Sequence, residues 1–328
     1  MTTLTINLPQ TSYPLTIEPG SADNVLNYYQ TNNCFVMITD EGVPPSVVER
    51  IQKQLNPVTT ITLPSGESTK SIETYHRIVA TLLKQNISKT TTLVALGGGV
   101  IGDLTGFVAS TYYRGINYIQ IPTTLLSMVD SSIGGKTAIN MQNVKNVVGT
   151  FYHPSAVIID PNLLNTLPNR HIANGMAEVI KMALIGDADF AKALLNDIPI
   201  PTLIERAIRI KKQIVEKDPR DTHERHLLNH GHTIAHAIEA LEPNLLHGEC
   251  VAIGMKKMAK GELYETLLDD LLTKYDLTIQ CTLKKDQLYN HILHDKKIKH
   301  DTLNIALIKN VGKGYIKSIK IEDIKSYL

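Results

Sequence analysis

Four apolar residues, Leu93 to Leu96, lead straight into Gly97-Gly98-Gly99-Val100-Ile101-Gly102-Asp103. G-x-G-x-x-G therefore stands between a strand pattern and a helix pattern, and this restricts the first half of the chain more than any other feature. Glycines at such a turn let backbone N–H groups approach a phosphate, and the following helix adds a favourable dipole. A lone motif of this kind is equally readable as a tight strand-to-helix turn that holds nothing. Its surroundings repeat the alternation. Cys34 to Thr39 is a short apolar run ending at Asp40 and Glu41, Pro45 to Leu55 has helical spacing, and Val58 to Leu63 is rich in β-branched residues. Ser71 to Gln85 places Ile72, Tyr75, Ile78, Val79 and Leu82 on one helical face, and Tyr118 to Ile121 is a further strand. Such alternation predicts a mostly parallel sheet covered by helices, an α/β fold.

From about Asn169 the period changes. Met176 to Ile185, Thr202 to Lys217, Leu227 to Leu241, Val251 to Leu267 and Lys285 to His294 carry helical spacing. Asn304 to Ile308 and Gly314 to Ile319 then flank a turn and predict a terminal hairpin. A chain of 328 residues exceeds one ordinary domain and fits two. We expect an α/β domain over 1–168 and a mainly α-helical domain over 169–328, with the boundary in the proline-punctuated stretch Pro154 to Pro168.

With 43% hydrophobic and 20% charged residues the chain can bury cores, which excludes wholesale disorder. Thirty-three basic against 32 acidic residues leave a net charge of +1, which removes the electrostatic case for nucleic acid or a membrane surface as partner. Cys34, Cys250 and Cys281 show no CxxC spacing and are too few for a disulfide scaffold. The N-terminus lacks a basic region followed by an apolar one, and no apolar run reaches membrane-spanning length. These features predict a soluble, cytoplasmic protein.

The acidic residue expected about 20 positions after a Rossmann glycine motif is missing, since Asn117 to Thr124 reads NYIQIPTT. If a dinucleotide binds, its ribose must be held elsewhere: Asp40 and Glu41 are candidates, and the loop Ser65-Gly66-Glu67-Ser68-Thr69-Lys70 suits a ribose or a phosphate. Pro122 to Asn140, PTTLLSMVDSSIGGKTAIN, reads as a polar loop crowded with hydroxyls, Asp130 and Gly134-Gly135-Lys136. It lacks P-loop spacing, but Lys136 with Lys145-Asn146 could cradle an anion; the plainer reading is a pair of surface lysines.

His232 and His236 lie four residues apart at the start of a helix, as in H-E-x-x-H, but Thr233 replaces the glutamate, which argues against a metalloprotease. His247-Gly248-Glu249 follows, and upstream Glu178 and Lys181 share a helix face. One Glu and two His would give three N/O ligands with one open position, the pattern of a catalytic zinc. Twelve histidines make chance neighbours common, so this requires the fold to bring Glu178, His232 and His247 together. Lys211, Lys212, Arg220, Arg225, Lys296 and Lys297 supply cations suited to a polyanionic small molecule; the alternative is solvated helix faces and helix ends.

GGGVIGD, PTTLLSMVDSSIGGKTAIN, AEVIK, LLNHGHTIAHAIE, HGE and DKK occur in this order over nearly the whole chain. In that order the chain resembles the 3-dehydroquinate synthase family of sugar-phosphate cyclases. The resemblance implies a dinucleotide-binding domain, a helical metal-binding domain and an active site between them. It implies a lyase that turns 3-deoxy-D-arabino-heptulosonate 7-phosphate into 3-dehydroquinate and phosphate, with catalytic NAD+ and Zn2+, Co2+ being the alternative. By motif, Glu178, His232 and His247 match the metal ligands. Cofactor contacts match Asp40, Ser65, Gly66, Glu67, Lys70, Gly98, Gly99, Val100, Asp103, Thr123, Thr124, Leu126, Asp130, Ser131, Lys136, Lys145, Leu163 and Thr166. Lys136, Asn146, His236 and Lys296 match the surroundings of the substrate phosphate, and Arg114 an arginine from the partner subunit of a homodimer. Lys211, Arg225 and Asn229 match the substrate anchors, with Lys181 a further polar contact.

Two departures stand out. The family usually shows Glu-x-Glu after Asp218, where this chain has Pro219-Arg220-Asp221, and Ala235 stands where glycine is common. The rival readings are a related cyclase whose substrate has no carboxylate, a metal-dependent polyol dehydrogenase, and a non-catalytic NAD- or metal-binding regulator. Arg225, Lys211 and Asn229 argue against the first, the phosphate-directed Lys136, Lys296 and His236 against the second, and the intact ligand set against the third.

Overall fold

The computed structural model describes residues 1–142, 144–293 and 302–328. The chain forms two compact units, Met1–Leu167 and Pro168–Leu328.

The first unit contains β1 (Thr2–Leu8), β2 (Thr11–Ile17), α1 (Val25–Tyr28), β3 (Phe35–Asp40), α2 (Pro45–Leu55), β4 (Thr59–Leu63), α3 (Ile72–Lys84), β5 (Thr92–Gly97), α4 (Gly99–Thr111), β6 (Tyr118–Pro122), β7 (Lys136–Met141), β8 (Val144–Phe151) and β9 (Ala156–Ile159). Its seven-stranded sheet has the order β1-β2-β9-β6-β5-β3-β4, parallel except for the β1/β2 hairpin. The chain moves outward from β3 to β4, then crosses back to β5 on the other side of β3. The order therefore reverses between β3 and β5, the kind of switch point at which open α/β sheets bind ligands beyond the strand carboxyl ends. Asp40 ends β3 and Gly97 ends β5, so the acidic candidate and the glycine turn flank this switch point.

Helix α4 is buried on nearly every face, with Ile101, Leu104, Phe107 and Val108 packed among Val36, Ile38, Leu93 and Ala95 of the sheet. Its other neighbour is the β7/β8 hairpin. A Cβ on Gly106 would stand 2.5 Å from Thr137 Cγ2, so a glycine is needed for β7 to lie this close to the helix. The stretch Pro122 to Asn140 is not a plain loop. It holds a π-helical turn at Ser127–Ser131 followed by β7, and π turns often re-aim side chains at functional sites.

The second unit contains α5 (Asn169–Gly186), α6 (Ala188–Ala193), α7 (Ile200–Lys217), α8 (His232–Leu241), α9 (His247–Ala259), α10 (Glu265–Lys274), α11 (Lys285–Leu293), β10 (Thr302–Asn310) and β11 (Lys313–Lys320). The two strands form the expected antiparallel hairpin. Helix α5 packs against α7, α9 and β11 and is buried from Asn174 through Ile185.

Two expected helices are divided. Leu227 to Leu241 splits into a 3-10 turn, Glu224–Asn229, and α8, because Gly231 takes φ 80°, a left-handed conformation that ends one helix and caps the next. Val251 to Leu267 likewise divides into α9 and α10, with Gly261 at φ 79° between them. Among the described residues no helix is long and apolar enough to cross a membrane.

Candidate active site

Glu178 faces inward from the middle of α5 and is wholly buried. The break at Gly231 starts α8 at His232, and α9 starts at His247. Nε2 of each histidine lies 3.5 Å from Glu178 Oε1, and the three donor atoms all lie within 4.8 Å of one another. Four ligands about 2.1 Å from a tetrahedral centre stand about 3.4 Å apart, so this spacing matches the edge of a zinc-type site.

The other carboxylate oxygen, Oε2, accepts from Lys181 Nζ, whereas Oε1 is buried with no hydrogen-bond partner. A buried carboxylate oxygen facing two imidazole nitrogens fits a divalent cation of N/O preference. Outer partners aim the rings. His232 Nδ1 lies 3.2 Å from the His230 carbonyl and His247 Nδ1 lies 3.7 Å from Glu239 Oε2, which leaves each Nε2 directed at Glu178. His236 adds its ring edge 5.6 Å from His232, centroid to centroid.

The placement of His247 depends on its neighbour. Gly248 donates its N–H to Asn174 Oδ1 at 2.6 Å, and a Cβ there would meet the Asn174 carbonyl oxygen at 2.0 Å. Only glycine lets the start of α9 seat on α5 beside Glu178.

Burial would raise the Glu178 pKa, but Lys181 and His247 outweigh it and hold the carboxyl down at about 2. Burial works against charge on His247 too, yet Glu178 and Glu239 push it up to about 10. Burial, reinforced by Lys181, holds His232 well below its ordinary value and therefore neutral.

Lys211 and Arg225 are buried in this unit, and Asn229 ends the 3-10 turn, Glu224–Asn229, that carries Arg225. Asp218 shapes this turn. Its carboxylate accepts the N–H groups of Thr222 at 3.0 Å, His223 at 2.7 Å and Arg225 at 3.1 Å. The Arg225 guanidinium in turn donates to the Pro219 backbone carbonyl at 3.0 Å, a contact that any residue at position 219 could make.

Burial raises the Asp218 pKa, but these backbone donors win and hold it far below the usual carboxylate range. With the folded value depressed, the stabilisation is complete above the unfolded Asp value of about 3.9 and is lost as pH falls through the folded value. Asp218→Asn is therefore expected to lower stability by about 2 kcal/mol at neutral pH. The gap from wild type should narrow by about 1 kcal/mol by pH 3, read from urea unfolding at both pH values. A gap that stays constant over that range would contradict the assignment. Lys296 lies outside the described residues.

In the first unit the switch point gathers much of the expected cofactor set. Asp40 Oδ1 accepts from the Gly42 N–H at 2.8 Å and the Ser65 hydroxyl at 3.2 Å, bringing the end of β3 to the loop that continues through Gly66 and Glu67. Lys70 is buried and its Nζ bridges Asp103 Oδ2 of α4 and Asn146 Oδ1 of β8, both at 2.5 Å. Gly98 caps α4, with Gly99 and Val100 in its first turn, and the Thr123 N–H donates to Gly97 O. The Thr124 hydroxyl bonds the Ser127 hydroxyl at 2.8 Å, which fixes the entry to the π turn carrying Asp130 and Ser131, just after Leu126. Lys136 opens β7 and Lys145 lies on β8, both exposed. Leu163, buried, and Thr166, exposed, lie on the 3-10 turn Pro161–Thr166.

Arg114 is not in this group. It sits past the end of α4, the length of a 13-residue helix, roughly 20 Å, from the glycine turn. Glu239 ends the LLNHGHTIAHAIE motif with no role assigned to it, and Asn174 lies outside the motifs. Glu239 lies seven residues after His232 on α8, a helical spacing that could have marked it.

Two solved structures share this architecture closely. A 2-deoxy-scyllo-inosose synthase complexed with carbaglucose-6-phosphate, NAD+ and Co2+ matches with TM-score 0.89 and 28% identity, covering 99% of this chain and 98% of that one. The 2-epi-5-epi-valiolone synthase ValA of Streptomyces hygroscopicus subsp. jinggangensis 5008, with NAD+ and Zn2+ bound, matches with TM-score 0.86 and 26% identity over 98% and 97%. These two neighbours, each solved with NAD+ and a divalent metal, place the architecture among the sugar-phosphate cyclases.

Within that class the family models are specific. Residues 60–174 match the 3-dehydroquinate synthase N-terminal model and residues 175–298 the C-terminal one. The 3-dehydroquinate synthase of Latilactobacillus sakei subsp. sakei (strain 23K) is 41% identical over 100% of this chain and 98% of its own. The chain belongs to the 3-dehydroquinate synthase family.

Proposed function

We propose that the protein converts 3-deoxy-D-arabino-heptulosonate 7-phosphate to 3-dehydroquinate and phosphate. The observation that carries this reading is the Glu178–His232–His247 cluster, complete in a chain whose whole length matches the family. Glu178, His232 and His247 would hold Zn2+ or Co2+, and the switch-point residues from Asp40 to Ser131 would hold NAD+, with Lys136, Lys145, Leu163 and Thr166 completing that set. Bound there, the cation supplies Lewis-acid polarisation of substrate oxygens and the dinucleotide a reversible hydride acceptor.

The chain's own work is to bind and orient. Lys136, Asn146, His236 and Lys296 neutralise and fix the phosphate that leaves. Lys211, Arg225 and Asn229 take the carboxylate, for which Arg offers a planar pair of donors. Lys181 keeps Glu178 ionised and remains the cationic neighbour of the reacting oxygens. No side-chain nucleophile is required, since orientation and electrostatics account for the residue types present.

In this reading 1–168 is the NAD-binding domain and 169–328 the metal- and substrate-binding domain. The enzyme works in the cytoplasm as a homodimer, and the separation of Arg114 from the glycine turn of its own subunit supports its reaching a partner's phosphate site. Chelation tests the reading. Dehydroquinate formation should stop on stripping the divalent ion and return with one equivalent of Zn2+ or Co2+; undiminished turnover by stripped protein would contradict it.

A further inference from the structure

Asn140, near the end of β7, belongs to none of the sets above, yet it joins two of them. Its Nδ2 donates to Glu67 Oε1 at 2.7 Å, and its Oδ1 accepts the Asn146 backbone N–H at 2.8 Å. Its own N–H donates to the Lys70 carbonyl at 2.8 Å, next to the isolated parallel bridge between Ser71 and Asn140. Every polar group that the side chain offers to a neighbour is thereby spent on linking the 65–70 loop to the β7/β8 hairpin. Asn146 takes φ 54°, in the left-handed region that asparagine enters more readily than most residues with a Cβ, and the bond from its N–H to Asn140 helps to fix that conformation. The same Asn146 side chain meets Lys70 Nζ, which also meets Asp103. Glu67, Asn140, Asn146 and Lys70 therefore close a polar ring, to which Asp103 is joined through Lys70.

We propose that Asn140 is a positioning residue that couples cofactor binding to the seating of the substrate phosphate. The proposal rests on the reading above, in which Glu67, Lys70 and Asp103 face NAD+ and Asn146 faces the phosphate. A cofactor that orders Glu67 and Lys70 pulls on Asn146 through two routes, one through Asn140 and one through the Lys70 ammonium. By reciprocity, a phosphate that orders Asn146 tightens the cofactor loop.

A swap of donor and acceptor isolates the Asn140 route. Asn140→Asp keeps the acceptor for the Asn146 N–H but sets a carboxylate against Glu67. In the double variant with Glu67→Gln, the amide at 67 can donate to the carboxylate at 140, so the link is remade with its polarity reversed. We expect Asn140→Asp to weaken NAD+ binding about 5- to 10-fold when Glu67 is present and less than about 2-fold when it is replaced by Gln. Asn140→Ala, which frees both partners, should raise the KM for the heptulosonate phosphate about 10-fold while kcat falls far less.

Titration calorimetry with NAD+ on the four proteins of the cycle, and steady-state kinetics on Asn140→Ala, read these effects. Equal weakening by Asn140→Asp in both backgrounds, or unchanged KM in Asn140→Ala, would overturn the proposal. The NAD+ cycle needs no turnover, so a wild type that binds NAD+ and shows the cycle but makes no dehydroquinate would count against the substrate reading alone. If Asn140→Ala does not fold, the near-isosteric Asp variants still decide the matter.

Discussion

Glu178→Gln should purify with almost no bound zinc and turn over about 10^3-fold more slowly than wild type. Glutamine has the same length and can still accept from Lys181, so the loss is of charge rather than shape. That charge is what a divalent cation needs from the one anionic member of the cluster, and several kcal/mol of oxygen polarisation disappear with it. The substitution also leaves Lys181, 1% exposed, without its buried counter-charge. Breaking a buried pair from one side costs about 3–5 kcal/mol, so the variant should melt well below wild type. Metal content must therefore be read on the fraction with native circular dichroism. A folded variant that retains a full equivalent of zinc would refute the ligand assignment.

Lys136→Ala should separate function from stability. The side chain is exposed at the first residue of β7, where truncation ordinarily changes stability by no more than about 0.5 kcal/mol. Its ammonium, by contrast, is assigned a charge-assisted contact to a phosphate that must be held while it leaves. Losing it should lower kcat/KM by about 10^2- to 10^3-fold, with the melting temperature within about 2 °C of wild type. Lys136→Arg should recover part of the loss, because the charge remains although the point-like head group does not. Near-normal catalytic efficiency in Lys136→Ala would remove the phosphate assignment.

What the sequence made legible followed from local period. The strands β3 to β6 and the helices α2 and α3 carry apolar residues at the spacings of their element types, and each lies within a residue or two of where that spacing puts it. The glycine motif was readable as a turn, but its place at the switch point depended on strand order, which is a long-range property. The β7/β8 hairpin escaped for a clearer reason. Val144 to Phe151 is exposed at nearly every position, so no alternation of apolar and polar residues marks it as a strand. The π turn before it is equally invisible, since Ser127-Met128-Val129-Asp130-Ser131 has no composition peculiar to that geometry. The N-terminal hairpin did have a signal, with Leu4 and Ile6 buried on one strand and Tyr13, Leu15 and Ile17 on the next.

The metal cluster divides in the same way. His232 and His236 share a helix face by spacing, and Glu178 with Lys181 likewise. The convergence of α5, α8 and α9 on one carboxylate oxygen arises from helix packing at Gly248 and from the helix break at Gly231. Neither glycine announces that role in the sequence. The roles of Asn140 and Asp218 are not legible in the sequence, because their partners, backbone N–H groups and, for Asn140, the Glu67 carboxylate, are brought to them only by the fold.

The most direct test of the central claim is a stoichiometry. The purified protein, with Zn2+ and NAD+, is given 3-deoxy-D-arabino-heptulosonate 7-phosphate while inorganic phosphate, dehydroquinate and NADH absorbance are followed together. The account predicts one phosphate per dehydroquinate and no accumulation of NADH over many turnovers, because the hydride is taken and returned within one site. Absence of phosphate release, with NADH accumulating on simple polyols, would contradict it and leave a dehydrogenase built on the same fold.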